Sequence, residues 1–152
     1  MQHTPTGEGD FTYVLTIHQG TSGAPVTQAT SNTITRKIPN QGDTLWTRQF
    51  GTNSNELAEG VATDPAGNII ITGSTHGSLE GTNAGSYDAF VRKYGPNGDT
   101  LWTRQLGTTA DGQALDVATD ASGNIIITGY TEGSLEGTNA GASDAFVRKF
   151  TP

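Results

Sequence analysis

The sequence predicts an all-β fold made of tandem four-stranded antiparallel units, and three observations carry that prediction. The first is an internal repeat. "GDTLWTRQ" occurs at Gly42–Gln49 and Gly98–Gln105, "GNIIITG" at Gly67–Gly73 and Gly123–Gly129, "GSLEGTNAG" at Gly77–Gly85 and Gly133–Gly141, and "DAFVRK" at Asp88–Lys93 and Asp144–Lys149, every pair offset by 56. Laid over Gly98–Pro152 without a gap, Gly42–Pro96 is identical at 39 of 55 positions. A repeat of this length signals a supersecondary unit stacked on its like. The second observation is a hydrophobic period of two, with no window of amphipathic helical spacing. The third is turn chemistry between the short apolar runs, where Asn-Gly and Asp-x-x-Gly-Asn mark hairpins.

The elements follow in chain order. Met1–Gly9 reads as an N-terminal tail. Residues 10–41 read as a degenerate partial repeat, because subtracting 56 places Asp10–Gly20 under Ala66–His76 and Ile34–Trp46 under Phe90–Trp102. The alternation Phe11, Tyr13, Leu15, Ile17 is strand-like. Residues 42–50, with Thr44–Phe50 reading T-L-W-T-R-Q-F, are expected to form an outer strand. Residues 51–106 then make a full unit of four strands: the short segment Gly60–Asp64, Asn68–Thr75, Asp88–Tyr94 and the second T-L-W-T-R-Q. The unbroken run Ile69–Ile71 predicts a strand covered on both faces, with Ile70 and Ile126 in the core. Residues 107–152 repeat the unit without its last strand, so Ala145–Phe150 is expected to expose an edge of unpaired N–H and C=O groups.

Composition excludes several classes of function. The net charge of −7 disfavours nucleic acid, whose phosphates want a basic face, and anionic membrane surfaces. No stretch of 18 apolar residues is present to span a membrane, and "MQHTPTGEGD" lacks the apolar core of a signal peptide. Without cysteine there is no disulfide, thiol nucleophile or Cys-based zinc site. His3, His18 and His76 sit in no metal-binding spacing, and no nucleophile elbow occurs, so no catalytic residue is predicted.

The carboxylates Asp64/Asp120, Asp88/Asp144 and Glu80/Glu136 recur with the repeat. A glycosidase needs two carboxylates facing one sugar, but Asp64 and Asp120 have a simpler task as turn closers. Asp88 and Asp144 likewise begin strands, where a carboxylate accepts loop N–H groups. Oxygen-rich Asp/Asn loops suit calcium, yet "DPAGN" lacks the spacing and closing Glu of a calcium loop, so neither metal nor cofactor is predicted. Gly81 and Gly137 are too loosely spaced for a phosphate loop, and Arg92/Lys93 and Arg148/Lys149 are strand pairs, not a basic patch. Trp46 and Trp102, one per full unit, are either packing staples between strands or platforms for a glycan.

Taken together, "VATDPAGNIIITGST" and "DAFVRKYGPNGDTLWTRQLG" resemble the bacterial β-propeller repeat known as the SBBP repeat. The resemblance covers Gly42–Phe150 well and Asp10–Gln41 weakly. It implies four-stranded antiparallel blades and a secreted or cell-surface bacterial setting, and no shared catalytic residues. Propellers close with about four to eight blades, and this chain holds fewer than three, so a β-solenoid or sandwich-like stack of the same hairpins is the alternative fold. The resulting expectation is a non-catalytic structural or adhesive protein that either joins copies of itself head to tail, into a ring or filament, through the edge Ala145, Phe146, Val147, Arg148, Lys149 and Phe150, or is a piece of a longer array. The alternative expectation is a carbohydrate-binding module using Trp46 and Trp102.

Overall fold

The computed structural model describes the backbone of Gln2–Pro5, Phe11–Leu15 and Asn32–Ile34, and residues 41–152 in full. Two compact units emerge, residues 1–45 and 46–152. In the first, β1 (Gln2–Pro5), β2 (Phe11–Leu15) and β3 (Asn32–Ile34) form an antiparallel sheet in that order. This corrects the reading of Met1–Gly9 as a tail. The backbone of β2 needs a partner along each edge, and Gln2–Pro5 provides one, from Gln2 opposite Val14 to Pro5 opposite Phe11. The remainder of the strands expected within 10–41 lies outside the described residues.

In the second unit β4 (Glu56–Thr63), β5 (Ile69–Thr75), β6 (Asp88–Tyr94) and β7 (Thr100–Leu106) form one sheet in the order β4-β5-β6-β7. β8 (Gly112–Thr119), β9 (Ile125–Thr131) and β10 (Asp144–Phe150) form another, in the order β8-β9-β10. All pairings are antiparallel, and no described residue is helical. The all-β prediction therefore holds, with antiparallel blade-like sheets that do not close. β4 is longer than the segment Gly60–Asp64 suggested, because bulges at Ala58/Gly60 and Ala114/Asp116 let each first strand continue past a break in register.

The core lies between these two sheets. From the first come Ile70, Ala89 and Val91; from the second come Ala114, Val117, Ile125 and Ile127, with Trp102, Phe146 and Phe150 packed around them. Side chains alternate across a strand, so only one face of each sheet meets the other. This explains a correction. Ile70 is fully buried, but Ile126 is half-buried while its neighbours Ile125 and Ile127 are sealed. Ile70 points at the second sheet, whereas Ile126 points away from the first, toward a face that no described residue covers. The isoleucine runs are thus not covered equally on both faces.

The strand expected over 42–50 does not form either: residues 43–50 belong to no strand or ladder among the described residues. The partner edge that the identical sequence uses in the full unit, on β6, is occupied by β7. Residues 46–50 instead lie on the face of the first sheet opposite the core. Phe50 meets Phe90 edge-on at 5.6 Å and Tyr94 at 6.5 Å, and the Arg92 guanidinium sits 3.9 Å over its ring.

Candidate functional site

The two tryptophans occupy equivalent places. Trp46 packs at a tilt against Tyr94, with ring centroids 6.1 Å apart, and Trp102 against Phe150 at 6.2 Å, the same pair moved by 56 residues. In each case a Trp from one T-L-W-T-R-Q segment leans on the aromatic that ends a D-A-F-V-R-K strand further along the chain. Trp46 also donates from Nε1 to Pro96 O at 3.1 Å, and Arg48 donates from Nε to Gly98 O at 2.7 Å. Gly98 makes this approach feasible: it holds φ at 81°, and a Cβ there would sit 2.8 Å from the Trp46 ring. Both rings therefore spend contact area on packing.

The repeated carboxylates close loops. Asp64 Oδ1 accepts from the N–H groups of Ala66 and Asn68, and Oδ2 from Asn68 Nδ2; Asp120 repeats this with Ser122 and Asn124. Each also meets a lysine from the neighbouring strand end, Lys93 Nζ at 2.9 Å and Lys149 Nζ at 2.7 Å. Burial works to raise the Asp64 value, but the donors from Asn68 and the Lys93 ammonium outweigh it and hold the carboxyl at about 2. Asp120 is also pulled down, first by the bond from Lys149 and then by Asn124. Glu56 is lowered as well, its desolvation outweighed by donors from Thr52 and Thr75. All three groups have structural partners that account for their shifts.

Asp88, fully buried at the start of β6, accepts from Ala84 N at 2.9 Å and from Gln105 Nε2 at 2.8 Å; Asp144 accepts from Ala140 N at 2.7 Å. His76 packs edge-on against Tyr87 at 4.1 Å, with Ser86 Oγ 3.2 Å from its Nε2. Among the described residues no carboxylate completes that pair into a triad, and no group of three or more His, Cys, Asp or Glu gathers where it could hold a metal. No described helix is long and apolar enough to cross a membrane.

The edge residues Ala145–Phe150 belong to β10, which pairs with β9 along one side. Its counterpart β6 is an inner strand, flanked by β5 and β7. Beside β10 a hollow of about 270 Å³ is lined by Gly133, Leu135, Glu136, Asn139, Asp144 and Phe146, among others. In the first sheet the corresponding place is filled by Gln105 of β7. Its Oε1 accepts from Leu79 N at 2.8 Å and Glu80 N at 3.2 Å; its Nε2 donates to Gly77 O at 3.0 Å and to Asp88 Oδ2. Arg104 adds an ion pair to Glu80 at 2.7 Å. Sequence reasoning did not single out Gln105, and it read Lys93 only as half of a strand pair with Arg92. The signal was present, since both recur in their motifs, but what a strand residue reaches depends on which loop lies beside it.

Comparison with known proteins agrees with this architecture. A family model described as Beta-propeller repeat (SBBP) matches residues 45–80. An uncharacterized WD repeat-containing protein of Acanthamoeba polyphaga mimivirus is 31% identical over 85 residues, covering 46% of this chain. The chain spans 6% of that relative's length. The stretch 45–80, repeated 56 residues further on, is thus recognised as the SBBP beta-propeller repeat that its motifs resemble.

Proposed function

We propose that the chain is a non-catalytic protein–protein interaction module whose copies join head to tail by strand complementation at the edge of β10, in an extracellular or cell-surface bacterial setting. One observation carries the reading: β10 ends its sheet, while the same sequence in β6 sits inside a four-stranded sheet. An unpaired strand edge templates the addition of another strand. A heterologous contact of this kind gives a ring if its rotation closes and a filament if it does not. The repeat match and the WD-repeat relative support an interaction module, and the structural partners of Asp64, Asp120, Asp88, Asp144 and Glu80 support a role without catalysis. The packing of Trp46 and Trp102 on Tyr94 and Phe150 favours staples over glycan platforms.

Light scattering across a concentration series tests this. The mass is expected to rise with concentration, and the amides of Ala145–Phe150 to become slower to exchange as it does. A monomer at every concentration, with those amides unchanged, overturns the proposal.

A further inference from the structure

We infer that the strand completing the second sheet is Trp46–Phe50 of a second copy of this chain, and that Gln49 and Arg48 are the residues by which it is recognised. This rests on the self-association proposed above and names its contact.

The receiving site is already built. The loop Gly133–Gly141 and the strand start Asp144–Lys149 are letter for letter those of Gly77–Gly85 and Asp88–Lys93. Their internal bonds match too. Asn139 N donates to Ser134 Oγ as Asn83 N does to Ser78 Oγ, and Thr131 Oγ1 donates to Gly133 O as Thr75 Oγ1 does to Gly77 O. Among the bonds of the first unit without a counterpart are those that Gln105 and Arg104 supply. Leu135 N, Glu136 N, Gly133 O and the carboxylates of Asp144 and Glu136 are reached by no such side chain among the described residues, and they surround the hollow beside β10. The face of the second sheet has diverged, with Asp116 and Tyr130 where the first has Gly60 and Ser74, while the edge has not.

The strand that fits is identical to β7 over T-L-W-T-R-Q and joins no ladder among the described residues. Gln49 is exposed and makes no side-chain hydrogen bond to a described residue, whereas its counterpart Gln105 makes four. The segment cannot serve β10 of the same chain. It lies against Phe90 and Tyr94 on one face of the first sheet, while the second sheet packs on the opposite face through Ile70, Ala89 and Val91. It can serve another chain without leaving its place, because β7 itself ladders with β6 while Trp102 leans on Phe150 of the next sheet. Moved by 56 residues, the β6–β7 register sets Gln49 opposite Phe146, Arg48 opposite Val147 and Thr47 opposite Arg148.

The chain has no cysteine, so crosslinks report this register cleanly. A Thr47→Cys chain is mixed with an Arg148→Cys chain under mild oxidation, since directly opposed strand residues are within disulfide reach. A disulfide-linked dimer is expected in the mixture, and none when Lys149→Cys replaces Arg148→Cys, because that side chain points to the other face. In parallel, Gln49→Ala is expected to weaken self-association about tenfold or more, through loss of several hydrogen bonds, with its melting temperature unchanged. Wild-type association that persists in Gln49→Ala, without the register-specific disulfide, overturns this contact and leaves self-association standing. A wild-type monomer at all concentrations with no crosslink overturns both.

Discussion

The two repeats of residues 46–152 share most of their sequence yet live in different surroundings. Lys93 and Asp64 form an ion pair whose side chains are 5% and 3% exposed; Lys149 and Asp120 form the same pair at 56% and 31%. Ile70 is sealed and Ile126 is half-open. Val91 is buried and Val147 is 69% exposed. Identical residues in identical strands therefore contribute differently, because the first sheet has its face covered by β8 and β9 and its edge completed by β7. The second has neither among the described residues. The lesson is that a repeat unit specifies its own hairpins and turns, while its stability depends on what stacks against it.

The largest way to test that contrast is to place a charge at the paired isoleucines. Ile70→Asp buries an unpaired carboxylate between two sheets. That costs several kcal/mol, on the order of the whole stability of a small domain. The unit is expected to lose its cooperative thermal transition and its slow-exchanging amides. Ile126→Asp puts the same charge on an open face and is expected to leave a folded protein with a modestly lower melting temperature. Equal effects of the two would mean that the two faces are not differently covered.

Much of this contrast was legible in the letters, and the boundary between what was and was not is physical. Hairpins came through because their determinants are local: Asp64 closes its turn through bonds to Ala66 and Asn68, two and four residues away. The strand β6 emerges at Asp88–Tyr94, the bounds its alternation suggested. Burial did not come through for Ile126, since which face of a strand is covered depends on the neighbouring sheet. Residues 44–50 were read as a strand because their sequence is that of β7, but a strand needs an edge as well as a propensity. The role of Gln105 was hidden for the same reason: it bonds Leu79 and Glu80, 26 and 25 residues away.

A smaller effect is expected at the ion pairs. Lys93→Met keeps the length and the apolar stem of the side chain but leaves Asp64 buried without its cation, which typically costs about 3 kcal/mol. Urea unfolding should show this as a lower midpoint at unchanged slope. Lys149→Met removes a solvent-screened pair and should shift the midpoint far less. A comparable loss for both would show that the two pairs are equally buried in solution.

Acid provides an independent reading of the same carboxylate. Asp64 titrates at about 2 in the folded protein against an ordinary 3.8, so its folded value lies below its unfolded one. Its stabilisation is therefore present above about pH 4 and is lost as pH falls toward 2, where the folded state must also take up the proton. Glu56 and Asp120 are shifted in the same direction and add to the acid limb. Asp64→Asn should lower stability at pH 7 and flatten the decline between pH 4 and 2. A decline of unchanged steepness would assign the acid sensitivity to other groups.

The smallest effect expected comes from exchanging a residue by which the two first strands differ at a point where the sheets touch. Gly60 in β4 lies against β8: a Cβ there would meet Asp116 Cα at 3.1 Å, Val117 N at 3.2 Å and Thr72 Cγ2 at 3.0 Å. Two of these three neighbours are backbone, which yields only by moving a strand. Asp116 holds the equivalent place in β8, where its carboxylate is exposed and accepts from Val117 N at 2.8 Å. Gly60→Asp brings the outer repeat's residue into the inner one and forces extra atoms into the seam between the sheets, at about 2 kcal/mol. Asp116→Gly removes atoms from open surface and should cost a few tenths of a kcal/mol, mainly through the extra freedom of the unfolded chain. The melting temperatures should therefore fall unequally, with Gly60→Asp the larger by several degrees. Because the bulge at each site is the same, a change in strand register would affect both variants alike. An equal drop would therefore locate the cost in the bulge and not in the contact between sheets.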